Sequence, residues 1–198
     1  MSSTSRDAVK SVNIYGHISA LPKSIAAAFG GTVSTIADPE CDVAIFAINP
    51  AAGIDGPTIE LWKSFDEFQT PRLVVIIVME GMEMDFDDAV MVANRVFDTT
   101  VTPYLVLHDE SGAPIGVISL KDLTTIDYSV TPPVIGHADE ELQEVVAEFR
   151  EEYLSQMEEM EDGAFAAGIL FPALPINLAI GLGVDLVQKY LDELPSRS

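Results

Sequence analysis

The heptapeptide LVVIIVM, residues 73–79, decides the fold class of this sequence. It is rich in β-branched residues and carries no charge, which is typical of a strand that is buried on both faces. A second such run, DVAIFAI, occupies residues 42–48. Strands buried on both faces belong to parallel sheets that are covered by helices. The two runs therefore predict an α/β three-layer sandwich with a mainly parallel sheet.

Weaker strand patterns and helical patterns surround these two runs, as that fold class requires. Asp85 is placed to cap a helix whose apolar face runs from Phe86 to Phe97. The elements predicted before residue 70 are, in chain order, a strand at SVNIY (11–15), a helix over 23–29, a strand at TVSTI (32–36) and a helix over 58–68.

The chain changes character after residue 100. The segment YLVLHDESGAPIGVISL, residues 104–120, predicts a β-hairpin. LTTIDYSVTPPVIG (123–136) then predicts a loop or an edge segment. Residues 138–161 have apolar residues at spacings of three and four, which predicts one long acidic helix. A buried strand, GILFPAL (168–174), and a last helix over 184–194 complete the pattern.

Charge and composition exclude several classes of function. The net charge is −22, with only ten lysine and arginine residues, so the surface repels nucleic acid and anionic membranes. A single cysteine, Cys41, permits no internal disulfide, and the N-terminus has no apolar leader, so we expect a cytoplasmic protein. The uncharged run 164–184 is long enough to span a bilayer, but its prolines and glycines favour a buried strand and loop.

The stretch GHISALPKS, residues 16–24, raises the question of a phosphate-binding loop. The usual form is G-x-x-x-x-G-K-[ST] between a strand and a helix. Here Lys23 and Ser24 are present, but Leu21 and Pro22 stand where the second glycine belongs. Proline lacks the backbone N–H that a phosphate needs. The alternative is an exposed lysine after a prolyl turn that opens a helix.

Several segments resemble the GTPase domain of elongation factor G-like translational GTPases. DVAIFAINPAAGIDGPT (42–58) is similar to that family's DAAVVVVDAxxGVxxxT, and Trp62 and Pro71-Arg72 follow at the family's spacing. The C-terminal GILFPALPINLAIGLGVDLVQKYLDELPS (168–196) resembles its GxIxPVxxGSALxNxGVxxLLDxxxxxLPS. The resemblance implies a P-loop GTPase-like fold that is reduced by loss of the switch region, with an inserted β-hairpin.

The same resemblance identifies the positions of the nucleotide motifs. The family's N-K-M-D becomes Ile77 to Glu80, and its G-S-A-L becomes Ile176 to Ala179. Only about a dozen residues join Phe29 to Asp42, with no switch threonine and no DxxG, and TVSTI takes the place of a family strand beside the first one. If a nucleotide binds, the contacts that this resemblance implies come from Gly16, His17, Lys23, Ser24 and Glu80.

We expect a single domain over residues 11–196, with the hairpin and loop at 102–135 inserted in it, after a disordered tail over 1–10. The favoured interpretation is a pseudo-GTPase that has no catalytic residue, metal ligand or cofactor and binds a protein partner or a second copy of itself. The alternative is a protein that binds GTP, GDP or another purine with Mg²⁺ and hydrolyses it negligibly. A ribosome-associated factor is a third interpretation, which the acidic surface opposes.

Overall fold

The main body of the protein is a five-stranded parallel sheet. The computed structural model describes residues 10–195, so the expected N-terminal tail, apart from Lys10, and residue 196 lie outside the described residues. The strands of this sheet are β1 (Val12–Tyr15), β2 (Thr32–Val33), β3 (Val43–Ile48), β4 (Arg72–Ile77) and β9 (Ala173–Ile176). Their order is β2-β1-β3-β4-β9, and all neighbours are parallel. The predicted parallel sheet is confirmed, and TVSTI contributes the strand beside β1.

Helices cover both faces of this sheet. They are α1 (Pro22–Phe29), α2 (Gly56–Lys63), α3 (Phe86–Val96) and α6 (Val184–Glu193). Successive side chains of β3 point to opposite faces, so Ile45 packs in one core with α1 and α6, and Phe46 packs in the other with α2 and α3. This alternation produces the predicted three-layer sandwich.

Aromatic rings fill the core beneath α2 and α3. The ring centroid of Phe46 lies 4.9 Å from that of Trp62, which in turn stacks on Phe97 at 4.4 Å. The buried guanidinium of Arg72 lies 4.5 Å over Trp62 and 4.4 Å over Phe171, and its Nη1 donates to the Trp62 carbonyl oxygen. Trp62 and Arg72, two of the residues on which the family resemblance depends, therefore pack in the core of this protein.

The segment after residue 100 forms a second, antiparallel sheet. Its strands, in spatial order, are β5 (Tyr104–His108), β6 (Pro114–Ser119), β7 (Thr124–Asp127) and β8 (Val134–His137). The hairpin is confirmed, and residues 123–136, predicted as a loop or an edge segment, contain β7 and most of the edge strand β8 rather than a loop. Leu123 adopts a left-handed conformation (φ 62°) between β6 and β7, which lets β7 turn back and pair with β6.

The predicted long helix is two helices, α4 (Glu140–Val145) and α5 (Ala147–Glu158). The helix breaks at Val146, whose φ of −94° and ψ of 1° leave the helical range. Val146 is buried with Tyr153 against the antiparallel sheet, whereas Val145 and Phe149 of the predicted apolar stripe are exposed. Because of this break, residues of both α4 and α5 pack against the antiparallel sheet, and a single straight helix with the predicted apolar face would not place them there.

The uncharged run 164–184 lies within the fold. Turns occupy residues 164–168, and the strand starts at Ala173, later than predicted. Gly168 lies in these turns rather than in the strand: its φ is +69°, and a Cβ there would lie 2.0 Å from the carbonyl oxygen of Gln69. Among residues 10–195, no helix is both long and apolar enough to cross a bilayer.

Candidate functional site at the carboxyl edge of the parallel sheet

The loops that follow β1, β3, β4 and β9 meet at one edge of the parallel sheet. The chain runs from β1 to β2 on one side, then crosses to β3 on the other side. Ligands of open α/β sheets bind at such a reversal of strand order, outside the carboxyl ends of the strands. The loops after β1 and β3 therefore border the expected binding crevice, and GHISALPKS is one of them.

Gly16 ends β1 and has a structural reason to be glycine. Its φ is +148°, and a Cβ atom there would lie 2.4 Å from the carbonyl oxygen of Ala47 on β3. No side chain fits at that distance. The close approach of β1 to β3 therefore requires this glycine whether or not a phosphate binds beside it.

Three backbone amides of the loop after β1, those of Ser19, Ala20 and Leu21, are used inside the loop itself. His17 Nδ1 accepts from the Ser19 N–H at 3.2 Å, and the Ala20 N–H donates to the His17 carbonyl at 2.9 Å. The N–H of Leu21 likewise donates to Ile18 at 3.1 Å, and Pro22 has no N–H to offer. A phosphate cradle needs several converging, unpaired N–H groups. This loop does not present such a set.

Asn49 closes the crevice from the β3 side. Its Nδ2 donates to the Ser19 carbonyl oxygen at 2.9 Å, and its Oδ1 accepts from the Ala51 N–H at 3.0 Å. The space bordered by His17, Asn49 and Asp55 leaves about 0 Å³ for a water molecule. Asp55 is itself engaged, because it caps α2 by accepting from the Thr58 N–H. Sequence reasoning missed Asn49, although a polar residue directly after a buried strand was the available signal.

The loops after β4 and β9 carry the predicted base-recognition positions. They enclose a small apolar cleft of about 110 Å³, which we call the edge cleft, lined by Leu21, Ile25, Ile77, Met79, Ile176, Asn177, Leu178 and Ala179. Sites for small molecules usually measure about 300–1,000 Å³. Glu80 is exposed and is not among the lining residues, so it does not supply a carboxylate to this cleft.

The five predicted contact residues lie at three places along this edge. Gly16 and His17 lie at the closed crevice, and Lys23 and Ser24 lie exposed in the first turn of α1. Among residues 10–195, the side chains of Lys23 and Ser24 make no hydrogen bond or ion pair. In the same range, no three histidine, cysteine or acidic side chains are placed to hold a metal ion. At this edge the described residues thus show paired loop amides and a closed crevice beside Gly16 and His17.

Comparison with known proteins relates the chain to translation factors. No protein-family model matches it. It is 24% identical over 153 residues to the mitochondrial ribosome-releasing factor 2 of Anopheles gambiae, a match that covers 75% of this chain and 21% of that protein. It is 26% identical over 178 residues to an elongation factor G-like protein of Mycobacterium tuberculosis, a match that covers 78% of this chain and 24% of that protein.

The fold has a solved counterpart. The crystal structure of a protein from Thermus thermophilus superposes with a TM-score of 0.68 over 80% of this chain and 27% of that one, at 21% identity. The chain spans less than a quarter of the length of both curated relatives, at 21% and 24%. The resemblance to elongation factor G-like proteins is thereby confirmed, and the α/β fold with its mainly parallel sheet is shared with the solved structure.

Proposed function

We propose that this chain is a pseudo-GTPase, a catalytically inactive relative of the elongation factor G-like GTPase domain that acts as a protein-binding or regulatory module. One observation carries the proposal: the crevice at the strand-order reversal is closed by the hydrogen bond from Asn49 to Ser19. A nucleotide phosphate would have to break that bond and displace the internal contacts of the GHISALPKS loop. Cytoplasmic location, inferred from composition, belongs to the same proposal.

The chemistry of phosphoryl transfer supports this proposal. Catalysis there consists almost wholly of positioning and electrostatic stabilisation by a phosphate cradle, a magnesium ligand and a group that orients the attacking water. The connection between Phe29 and Asp42 contains only β2 and a turn-rich segment, and it carries no DxxG. Without those groups a bound nucleotide would gain little rate enhancement.

An exposed sheet edge supports the partner-binding role. Among the strands of residues 10–195, β8 pairs with β7 alone, and the exposed fractions of Val134 and Ile135 are 57% and 72%. An edge strand with unpaired backbone groups is a template for a strand from another chain. Light scattering at high protein concentration tests whether that chain is a second copy, because the mass of a single chain would exclude self-association.

The proposal is tested by titrating the protein with a fluorescent GTP analogue, with and without Mg²⁺, and by competition with GDP and ATP. We expect no saturable binding up to about millimolar nucleotide, an affinity weaker than about −4 kcal/mol. The matched control is Lys23→Ala, which removes the lysine that a phosphate at this loop would use. Micromolar, Mg²⁺-dependent binding that Lys23→Ala abolishes would overturn the proposal and establish the purine-binding alternative.

A further inference from the structure

A second, much larger cleft lies away from the carboxyl edge of the parallel sheet. It measures about 620 Å³ and lies between the antiparallel sheet, α5, the turn that follows α5, and α6. We call it the tyrosine cleft, because Tyr104, Tyr153 and Tyr190 all line it. It shares no lining residue with the edge cleft. Its volume is within the range of sites that bind small molecules, about 300–1,000 Å³.

The three tyrosine hydroxyls of this cleft have no hydrogen-bond partner among the described residues. Tyr153 has only 7% of its surface exposed, yet its hydroxyl forms no hydrogen bond with any residue in the range 10–195, and the same holds for Tyr104 and Tyr190. Tyr128 is the useful contrast, because its buried hydroxyl donates to Asp185 Oδ1 at 2.5 Å. Buried phenols usually find a partner. Tyr153 is almost completely buried and lacks one, and it lines the same cavity as the half-buried Tyr104 and Tyr190, so this arrangement points to a ligand there.

The electrostatics of the cleft define what such a ligand is. Five carboxylates line it against two lysines, Lys121 and Lys189; the acids are Asp122, Glu161, Asp162, Asp185 and Glu193. Burial, followed by the nearby charge of Asp122, raises the pKa of Tyr104 and of Tyr153 above its ordinary value, which already leaves a phenol neutral at physiological pH. The cleft therefore combines aromatic faces, neutral hydroxyl oxygens and an excess of negative charge.

We propose that the tyrosine cleft binds an organic cation, an ammonium or guanidinium group carried on a short apolar body. An ammonium group has three N–H donors, and the phenol oxygens that line the cleft are acceptors for them. The ring faces add cation–π attraction, and Met157 and Met160 supply an adaptable apolar wall for the body of the ligand. Asp122 neutralises the bound charge.

Cation binding at this cleft goes beyond the pseudo-GTPase proposal and does not depend on the outcome of the nucleotide titration. Two sources carry the same chemistry: a free aliphatic diamine, and a lysine side chain of another protein. Putrescine represents the first source. Nα-acetyl-lysine N-methylamide represents the second, because both of its backbone ends are blocked and only the side-chain ammonium is charged.

The test is calorimetric titration of the whole chain with each probe at fixed ionic strength, which holds the screening of the acidic surface constant. We expect one saturable site for at least one probe. Tyr153→Phe and Asp122→Asn should each weaken binding at least about five-fold, which corresponds to about 1 kcal/mol. The probe that binds identifies the source of the ligand.

The matched control is Glu148→Gln, which removes one negative charge from an exposed position on α5 outside the cleft. Its affinity should stay within about two-fold of the unmodified protein, because a surface charge outside the site is screened. Tyr153→Phe keeps the packed ring, and circular dichroism checks that it folds. Absence of saturation with both probes, or equal weakening by Glu148→Gln, would overturn the proposal.

Discussion

The strands of the parallel sheet, which we call its body, and the loops at its carboxyl edge are stabilised by different interactions. In the body, β3 and β4 consist entirely of buried residues, and each face packs against helices. At the edge, the loops after β1 and β3 bind each other through polar contacts such as Asn49 to Ser19, and the crevice between them leaves about 0 Å³ for a water molecule. Apolar burial thus stabilises the sheet through its two faces and not through the loops at its edge.

The largest effect is expected from a change in the body. Phe46 is completely buried, with its ring 4.9 Å from Trp62 and 5.2 Å from Tyr15. Phe46→Ala removes these contacts and leaves a cavity, so the free energy of unfolding should fall by about 3–5 kcal/mol in urea denaturation. The control is Ile36→Ala, where 76% of the residue is exposed and the expected change is within about 0.5 kcal/mol. Equal losses would contradict a body stabilised by burial.

A smaller loss is expected where the body meets the edge. Gly16→Ala places a Cβ 2.4 Å from the Ala47 carbonyl oxygen, on a backbone that disfavours side chains. We expect destabilisation by about 2 kcal/mol or more, since β1 must move away from β3. Gly53→Ala is the control: its φ is also positive, but a Cβ there would meet nothing within 4 Å. If both variants unfold at the same urea concentration, the close approach is not what Gly16 serves.

The sequence predicted the body well for a physical reason. Continuous apolar runs such as those in β3 and β4 specify burial on both faces without reference to the rest of the chain. β7 and β8 were missed because their pattern is weak: β8 is exposed on all of its residues, and β7 is only half buried. The break at Val146 was missed because it depends on where the antiparallel sheet lies, and helical periodicity does not report that.

The candidate sites were less predictable. The sequence identified Pro22 as incompatible with a phosphate loop, and the structure adds that neighbouring amides are paired within that loop. The bond between Asn49 and Ser19 joins residues thirty positions apart, so no local pattern indicates it. The tyrosine cleft joins Tyr104, Tyr153 and Tyr190 from three separate elements, which only the folded chain brings together.

Two tyrosine substitutions compare the stability contributed by a hydroxyl that forms a hydrogen bond with that of a hydroxyl that forms none. Tyr128→Phe removes the hydroxyl that donates to Asp185, so the free energy of unfolding should fall by about 1.5 kcal/mol. Tyr153→Phe is the same chemical change at a hydroxyl with no partner among residues 10–195, and it should change stability by less than about 0.5 kcal/mol. Thermal or urea unfolding of the pair measures the difference. Equal losses would mean that the bond to Asp185 contributes nothing.

The tyrosines also set an alkaline limit on stability. Burial, then the hydrogen bond to Asp185, raises the pKa of Tyr128 above its ordinary value, and burial also raises the pKa values of Tyr15, Tyr104, Tyr153 and Tyr190. The neutral phenol is favoured in the folded state, so this stabilisation is complete below about pH 10 and is lost as the pH rises further. The free energy of unfolding in urea should be lower at about pH 11 than at about pH 8, and this decrease should be smaller in Tyr128→Phe than in the unmodified protein. A stability that is unchanged across that range would contradict the assignment.

The smallest effects are expected at the edge residues that the family resemblance singles out. Lys23 and Ser24 are exposed in the first turn of α1, and their side chains contact no hydrogen-bond or salt-bridge partner among residues 10–195. Lys23→Ala and Ser24→Ala should therefore each change the free energy of unfolding by less than about 0.5 kcal/mol. Urea unfolding of each variant beside the unmodified protein measures this change.

The melting temperatures of the unmodified protein and of Lys23→Ala, measured with and without GTP, test whether the crevice at this edge is closed. A ligand that binds only the folded state raises the melting temperature, so a working phosphate loop would give a rise in the unmodified protein and a smaller one in Lys23→Ala. We expect no rise in either protein, because the loop amides and Asn49 are already paired with groups of the loops themselves. A rise confined to the unmodified protein would show that ligand binding opens the crevice, and that the edge retains more of the family's chemistry than its closed geometry implies.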